Sequence, residues 1–322
     1  MKALPAQDLN RGEKMKITNP IGITNIGDPF VLNHEGKYYL YATSFIDGFY
    51  CWVSDDLVNW SVPIKAYKLS NRSFGYADFW APEVVYHNNQ FIMHYSARQK
   101  NTNSLKIGVA VSESPLGPFI DVYDNKPMFD FGFAAIDGHV FMDDNNKNYF
   151  YFDRDCSEYI YENRNESHIY VCELDHSLTK IISDIKLVLK PSQDWEMVTG
   201  DWRWNEGAFM LKHNKMYYLM YSAGFYASKS YGIGYAVSDS PYGPFKKARE
   251  NPILKTNDKV SGPGHNSVVS GLNGKFYAVY HAHTDYENPS PNRQVYIDEL
   301  YFDNDKLVIK GPTHGDKNET TI

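Results

Sequence analysis

Ser114-Pro115-Leu116-Gly117-Pro118-Phe119 returns as Ser240-Pro241-Tyr242-Gly243-Pro244-Phe245, and the segments leading into the two copies match as well. Ahead of the first run Gln90-Phe91-Ile92-Met93-His94-Tyr95-Ser96 and Ile107-Gly108-Val109-Ala110-Val111-Ser112. Ahead of the second run Met216-Tyr217-Tyr218-Leu219-Met220-Tyr221-Ser222 and Gly232-Ile233-Gly234-Tyr235-Ala236-Val237-Ser238. Short apolar and aromatic runs closed by Ser, Asp, Gly and Pro read as strands joined by turns, and helical periodicity is almost absent. Residues 38–43 with 50–53, 149–152 with 169–172, and 275–281 with 293–298 follow the same plan, which makes five units.

Each unit opens on a polar residue leading an apolar run. These are Asp28 (Gly-Asp-Pro-Phe-Val), Glu83 (Trp-Ala-Pro-Glu-Val-Val), Asp137 (Ile-Asp-Gly-His-Val-Phe), Glu206 (Asn-Glu-Gly-Ala-Phe) and His265 (Gly-Pro-Gly-His-Asn-Ser-Val-Val). The openers recur at intervals of roughly 55 to 70 residues, a period of whole sheets stacked about an axis. Units able to supply three or four strands each read as blades around a channel. Five openers therefore predict an all-β fold, a five-bladed β-propeller, as a single domain over residues 1–322 with no linker. Blades begin near the openers, whose side chains converge at one mouth of the channel. Pro29 and Pro82 hold the residues before them extended, as entry into a strand requires. Residues 1–20 are expected to be an irregular lead-in or a strand that helps close the ring.

The bulk composition excludes several partners. A net charge of -7 and 22% charged residues argue against nucleic acid, which needs a basic face to displace counterions. No run reaches the ~18 apolar residues of a membrane span, so no membrane partner is expected. Residues 1–16 lack the apolar core of a secretion signal, and Cys51, Cys156 and Cys172 are sparse and without metal-ligand spacing. A cytoplasmic location is favoured, with a periplasmic or secreted one if a signal has been removed; nothing indicates the oligomeric state. The chain holds 26 Tyr, 18 Phe and 6 Trp. Most are expected to pack within strands, and a minority near the openers to form flat platforms for the C–H faces of sugar rings.

Taken in order, Gly27-Asp28-Pro29, Trp80-Ala81-Pro82-Glu83, Ile136-Asp137-Gly138-His139-Val140-Phe141, Asn205-Glu206-Gly207-Ala208-Phe209 and Gly262-Pro263-Gly264-His265-Asn266-Ser267 resemble glycoside hydrolase family 43. The resemblance covers nearly the whole chain. It implies a five-bladed propeller, an inverting mechanism, and substrates among arabinose- or xylose-containing plant polysaccharides and oligosaccharides. Asp28 would be the general base, Glu206 the general acid, and Asp137 the third carboxylate, which raises the pKa of Glu206 and orients it. Inversion needs an acid and a base roughly 6.5–9.5 Å apart, so that water fits between base and sugar. Burial against Ala208 and Phe209 pushes Glu206 toward its neutral form.

Glu83 takes an opening position but has no proton-transfer role in the family, and is expected to line the channel. His265 resembles the residue that faces a central ion or water. An ion there would be calcium with mostly water and carbonyl ligands; otherwise His265 is a hydrogen-bonded channel histidine. No cofactor is required for the chemistry. Arg293 resembles the arginine that reaches the sugar and the acids, and its donor fork suits carboxylates. Trp80 resembles a wall of the terminal sugar site, with Phe45 and Ile136 expected beside it. His281 and His283 are expected to be core or groove residues. Residues 194–204, with three Trp, form either an aromatic rim for further sugars or a packing loop.

Other readings fit less well. Gly232-Ile233-Gly234 has no following helix to make a dinucleotide site. Residues 54–60 lack the glycine of a sialidase Asp-box, and no Gly-x-Ser-x-Gly elbow occurs. A non-catalytic carbohydrate-binding propeller would keep the aromatics and lose one of the three acids; all three are present. The expectation is an exo-acting inverting glycosidase, α-L-arabinofuranosidase first, β-xylosidase second and endo-arabinanase third. Segments 66–79 and 156–168 would block one end of the groove.

Overall fold

Aromatic and β-branched side chains recur along nearly every run long enough to pair, and the chain folds accordingly into antiparallel meanders. The computed structural model describes residues 16–196 and 200–315. Residues 1–15 of the expected lead-in, and Met197, Val198 and Thr199 of the tryptophan-rich stretch, lie outside the described residues.

The first sheet is β1 (Gly27–His34), β2 (Lys37–Thr43), β3 (Gly48–Ser54) and β4 (Ile64–Lys68), paired in chain order. The second is β5 (Gly75–His87), β6 (Gln90–Gln99), β7 (Leu105–Ser112) and β8 (Ile120–Asp121). The third begins with β9 (Ala135–Met142) and β10 (Asn148–Arg154), makes an excursion through β11 (Ile160–Tyr161) and β12 (Arg164–Glu166), and resumes with β13 (His168–Leu174) and β14 (Lys186–Leu189). Strand β15 (Trp202–Arg203) runs parallel to β12 and completes a small side sheet. The fourth sheet is β16 (Glu206–His213), β17 (Met216–Ala223) and β18 (Gly232–Ser238), with β19 (Lys246–Lys247) and β20 (Leu254–Lys255) both on β18. The fifth is β21 (Gly264–Ser270), β22 (Phe276–His283), β23 (Arg293–Asp303) and β24 (Lys306–Ile309).

The first strands of these five sheets touch in a closed circuit: β1 packs on β5 and β21, β5 on β9, β9 on β16, and β16 on β21. The core lies between neighbouring sheets. Ile92, Ile107, Phe150 and Phe152 fill one interface, Tyr149, Tyr151, Leu219 and Tyr221 the next, and Val31, Leu40, Val279 and Ile297 another. Most of the largest fully buried side chains are tyrosines. Their hydroxyls find buried carboxylates, as in Tyr280 on Asp298 at 2.5 Å and Tyr95 on Asp121 at 2.5 Å. A buried phenol needs such a partner, because desolvating it unpaired is costly. The twin hexapeptides are clasps between sheets: Tyr41 donates to the Pro115 carbonyl and Tyr151 to the Pro241 carbonyl. Of the expected lead-in, Asn19 reaches β23 by donating from its side chain to the Ile297 carbonyl; the backbone pairing that closes the circuit comes just after residue 20, where Ile21 and Ile26 donate to β23 and Ile23 accepts from it.

Each first strand carries a bulge with one residue at positive φ, and these five are the structurally equivalent positions: Asp28 (53°), Ala81 (44°), Asp137 (57°), Gly207 (60°) and His265 (50°). A bulge re-aims the side chains beside it. The bulge N–H groups are capped by side chains from the second strand of the preceding sheet, in order His281, Thr43, Ser96, Asp153 and Ser222. This corrects the alignment of the openers. Glu83 is not equivalent to Asp28; Ala81 is. Glu83 sits two residues further along, level with His139, whose Nδ1 lies 2.7 Å from its Oε2. Glu206 stands one residue ahead of its bulge. Polar residue type marked different positions in different units, and only the bulge register separates them.

Candidate active site

The sequence brings eight candidate residues to one place. Asp28, Phe45, Trp80, Ile136, Asp137, Glu206, His265 and Arg293 all line a single pocket of about 870 Å³, at the large end of the ~300–1,000 Å³ of ligand sites. The bulges aim the two aspartates and His265 there, while Gly207 keeps its space open, since a Cβ on it would stand 3.1 Å from the His265 ring.

Asp28 is the most heavily bonded of Asp28, Asp137 and Glu206. Thr43 Oγ1 donates to its Oδ2 at 2.6 Å, and Arg293 Nη1 to its Oδ1 at 3.0 Å. His265 Nδ1 lies 3.3 Å from the same Oδ1 and 3.9 Å from Asp137 Oδ2, so one imidazole bridges two acids. Burial alone would raise the Asp28 pKa. Arg293, His265 and the Thr43 bond outweigh burial and hold the carboxyl well below the usual range. His281 accepts the Asp28 N–H at 3.0 Å and is kept neutral by burial and by Arg293. It is a supporting acceptor and not an ion-pair partner.

Glu206 is in the opposite state. Burial first, and then the Asp137 charge, push it well above the ordinary carboxylate range. Tyr231 opposes them weakly by donating to its Oε1 at 2.8 Å. Asp137 lies between the two: burial and Asp28 push it up to about 6 against the pull of His265. One carboxylate that stays ionised and one carboxyl that stays protonated, in one pocket, are what acid–base cleavage requires.

The aromatic residues divide by position. Trp195 packs on Tyr221 away from the pocket, whereas Trp202 and Trp204 stack on each other at its edge, next to Phe225. The described tryptophans of 194–204 thus lie partly at the pocket edge and partly in packing. Phe45 is covered by the Lys65 ammonium at 3.7 Å. Asp78 and Arg98 pair in the pocket wall, and Cys156 and Ser157 contribute from the other expected blocking segment. His283 is buried outside the pocket, bonded to Ser261 and the Tyr226 carbonyl, as a core residue. Among the described residues, no group of three His, Cys, Asp or Glu side chains has the geometry to hold a metal directly.

Thr43, Tyr231 and Asp153 were not expected here. The signal for Thr43, and for Asp153, was its place at the end of a second strand, where the caps recur; Tyr231 precedes a strand and carries no comparable mark.

The sequence model for glycosyl hydrolases family 43 matches residues 17–308. The chain belongs to that family. A β-D-galactofuranosidase of Aspergillus niger is 29% identical over 89% of this chain and 82% of its own length. A xylosidase/arabinosidase of Bacteroides ovatus is 27% identical over 88% of this chain and 94% of its own. The crystal structure of a thermostable family-43 glycoside hydrolase superposes with a TM-score of 0.90 and 47% identity, over 94% of this chain and 98% of that one. As a family-43 member the protein is a glycoside hydrolase, an enzyme of O-glycosidic bonds, and its all-β architecture is that of its structural relatives.

Proposed function

We propose that this glycoside hydrolase is an inverting, exo-acting enzyme that removes terminal pentosyl residues from arabinose- or xylose-containing oligosaccharides and polysaccharides, with α-L-arabinofuranosides as its first substrate class. Asp28 activates water as the base, Glu206 protonates the leaving oxygen, and Asp137 holds Glu206 in its protonated state. The observation that carries this reading is the opposite displacement of Asp28 and Glu206 within one pocket. Arg293 and His265 keep Asp28 ionised and in place, while Trp80 and Ile136 take the terminal sugar and the Trp202–Trp204 stack takes the leaving side. The five sheets are proposed to be the blades of one five-bladed propeller domain.

β-Xylosidase is the second reading, favoured by the Bacteroides ovatus relative named for both activities. The chemistry needs no metal. A calcium ion in the channel would rest on His265 through water.

The test is a panel of nitrophenyl pentosides with NMR of the first-formed anomer. Hydrolysis with inverted configuration, abolished in Glu206→Gln, is expected. A product of retained configuration would remove Asp28 from the role of base, and an inactive wild-type protein that still binds the sugars would make it a binding module.

A further inference from the structure

Four of the five bulge caps are neutral acceptors: the hydroxyls of Thr43, Ser96 and Ser222, and the imidazole of His281. The fifth, beside Glu206, is the carboxyl of Asp153, which accepts the Gly207 N–H on Oδ2 at 2.9 Å. Capping does not account for an acid there, because Ser222 caps the next bulge at 2.7 Å with a hydroxyl. Asp153 is completely buried, and its Oδ1 finds no hydrogen-bond donor among the described residues.

The surroundings explain why no donor is found. Ile136 of β9 is paired opposite Asp153, which brings the adjacent Asp137 side chain within hydrogen-bonding reach. Glu206 faces it from β16, ahead of the Gly207 that it caps. From β13 its partner is the apolar Ile169. On its own strand Arg154 turns to the rings of Phe133 and Tyr159, and Asp155, just beyond, turns to Ser157. The nearby basic side chains lie toward Asp28: Arg293 bonds it, and His265 stands between it and Asp137. An ionised Asp153 would be a dry carboxylate with one hydrogen bond, facing two acids. Carboxyls in contact resolve this by sharing a proton, which turns one of two acceptors into a donor.

We propose that Asp153 is a fourth acid of this site, holding a proton on Oδ1 that it donates to Asp137, and that this bond fixes Asp137 as the anion presented to Glu206. The inference rests on the roles given above to Asp137 and Glu206. Burial first, and then the Asp137 charge, hold the Asp153 carboxyl well above the usual range, in the same sense. The proton stays on Asp153 through turnover while that of Glu206 is given to the leaving group and regained from water. Asp153 is a positioning residue, acting through Asp137.

The test compares the wild type with Asp153→Asn and Asp153→Ser, each checked for folding by its melting curve. The amide of Asn can accept from Gly207 and donate to Asp137, whereas Ser keeps the cap and is too short to keep the second bond. Infrared difference spectra near neutral pH should show a protonated-carboxyl carbonyl band in the wild type that both variants lack, separate from the band removed by Glu206→Gln. The Ser variant should lose about tenfold or more in kcat/KM, with its acid limb moved to higher pH, and the Asn variant should recover most of that loss. Loss of no such band in either variant would overturn the proposal. So would an alkaline limb in Asp153→Asn displaced downward by a full pH unit, as removal of a real charge beside Glu206 would cause. The spectra need no substrate, so a protein with the band but no glycosidase activity would defeat the functional reading alone.

Discussion

The guanidinium of Arg293 rests against the backbone of Gly27: a Cβ on that glycine would stand 2.0 Å from Nη2, while Nη1 reaches Asp28 Oδ1 at 3.0 Å. The smallest residue therefore makes room for the cation that keeps its neighbour ionised. Gly27→Ala should push Arg293 off Asp28 and lower kcat/KM about 100-fold, the order of loss seen when a catalytic group is misplaced by about 1 Å. The Asp28 pKa itself should rise, because the carboxyl loses its largest opposing charge, and carbon-13 NMR titration of the aspartates reads that change. A folded variant in which Asp28 titrates as in the wild type would contradict this arrangement.

Tyr231→Phe removes the hydroxyl that, among the described residues, donates to Glu206. That bond lowers the Glu206 pKa, so its loss should carry the alkaline limb to higher pH, with kcat reduced about tenfold. The acid limb, which follows Asp137 near 6, should stay in place. Rate profiles of both proteins across the same buffers settle the direction.

Glu206 also links stability to pH. Its folded pKa is raised, so the native state holds a proton that the unfolded chain releases above the ordinary value of 4.5. The stabilisation is full below that value and is lost as pH rises through the raised one. Glu206→Gln cannot lose it, and should melt about 2 °C or more above the wild type at alkaline pH, with little difference at acid pH. Asp28 contributes in the opposite sense: its folded pKa is depressed, so its stabilisation holds above the ordinary 3.8 and disappears only in strong acid. Equal melting shifts at both pH values would refute the Glu206 assignment.

Trp202 is 41% exposed and stacked on Trp204 at the pocket edge. Trp202→Ala should raise KM for an oligosaccharide by about tenfold, the order of one aromatic platform, with a smaller effect on a nitrophenyl pentoside. Equal effects on both substrates would move the leaving-side contact elsewhere.

The repeat and its strands were readable from residues alone, because hydrophobic runs and turn residues report the period of a sheet directly; the choice of Asp28, Asp137 and Glu206 among the five openers came from the family resemblance. The hexapeptide copies marked equivalent points of two repeat units, and the structure shows them as matching clasps in the second and fourth sheets. The position of Glu83 was misread for a specific reason. Its polar side chain stood where an opener was expected, but the repeat is registered on the bulge, and the bulge residue in that unit is Ala81, whose chemistry gives no sign of it. Asp153 escaped notice in the same way, since an acid at the end of an aromatic strand looks like a turn residue until the neighbouring sheet is in place. His281 was assigned to core or groove, and it is indeed buried; its service to the Asp28 N–H depends on a contact across 253 positions of chain.

Ile21, Ile23 and Ile26 stitch the entry of the chain to β23, and the Asn19 side chain reaches Ile297 and Asp298 a few residues on. The joint between the beginning and the end of the ring is thus made of hydrogen bonds and side-chain packing, while every other junction is also spanned by a peptide link. Mechanical or thermal rupture should start at that seam, and a circular permutant opened between the second and third sheets would relocate the weak point to the far side of the pocket, away from Asp28 and Arg293.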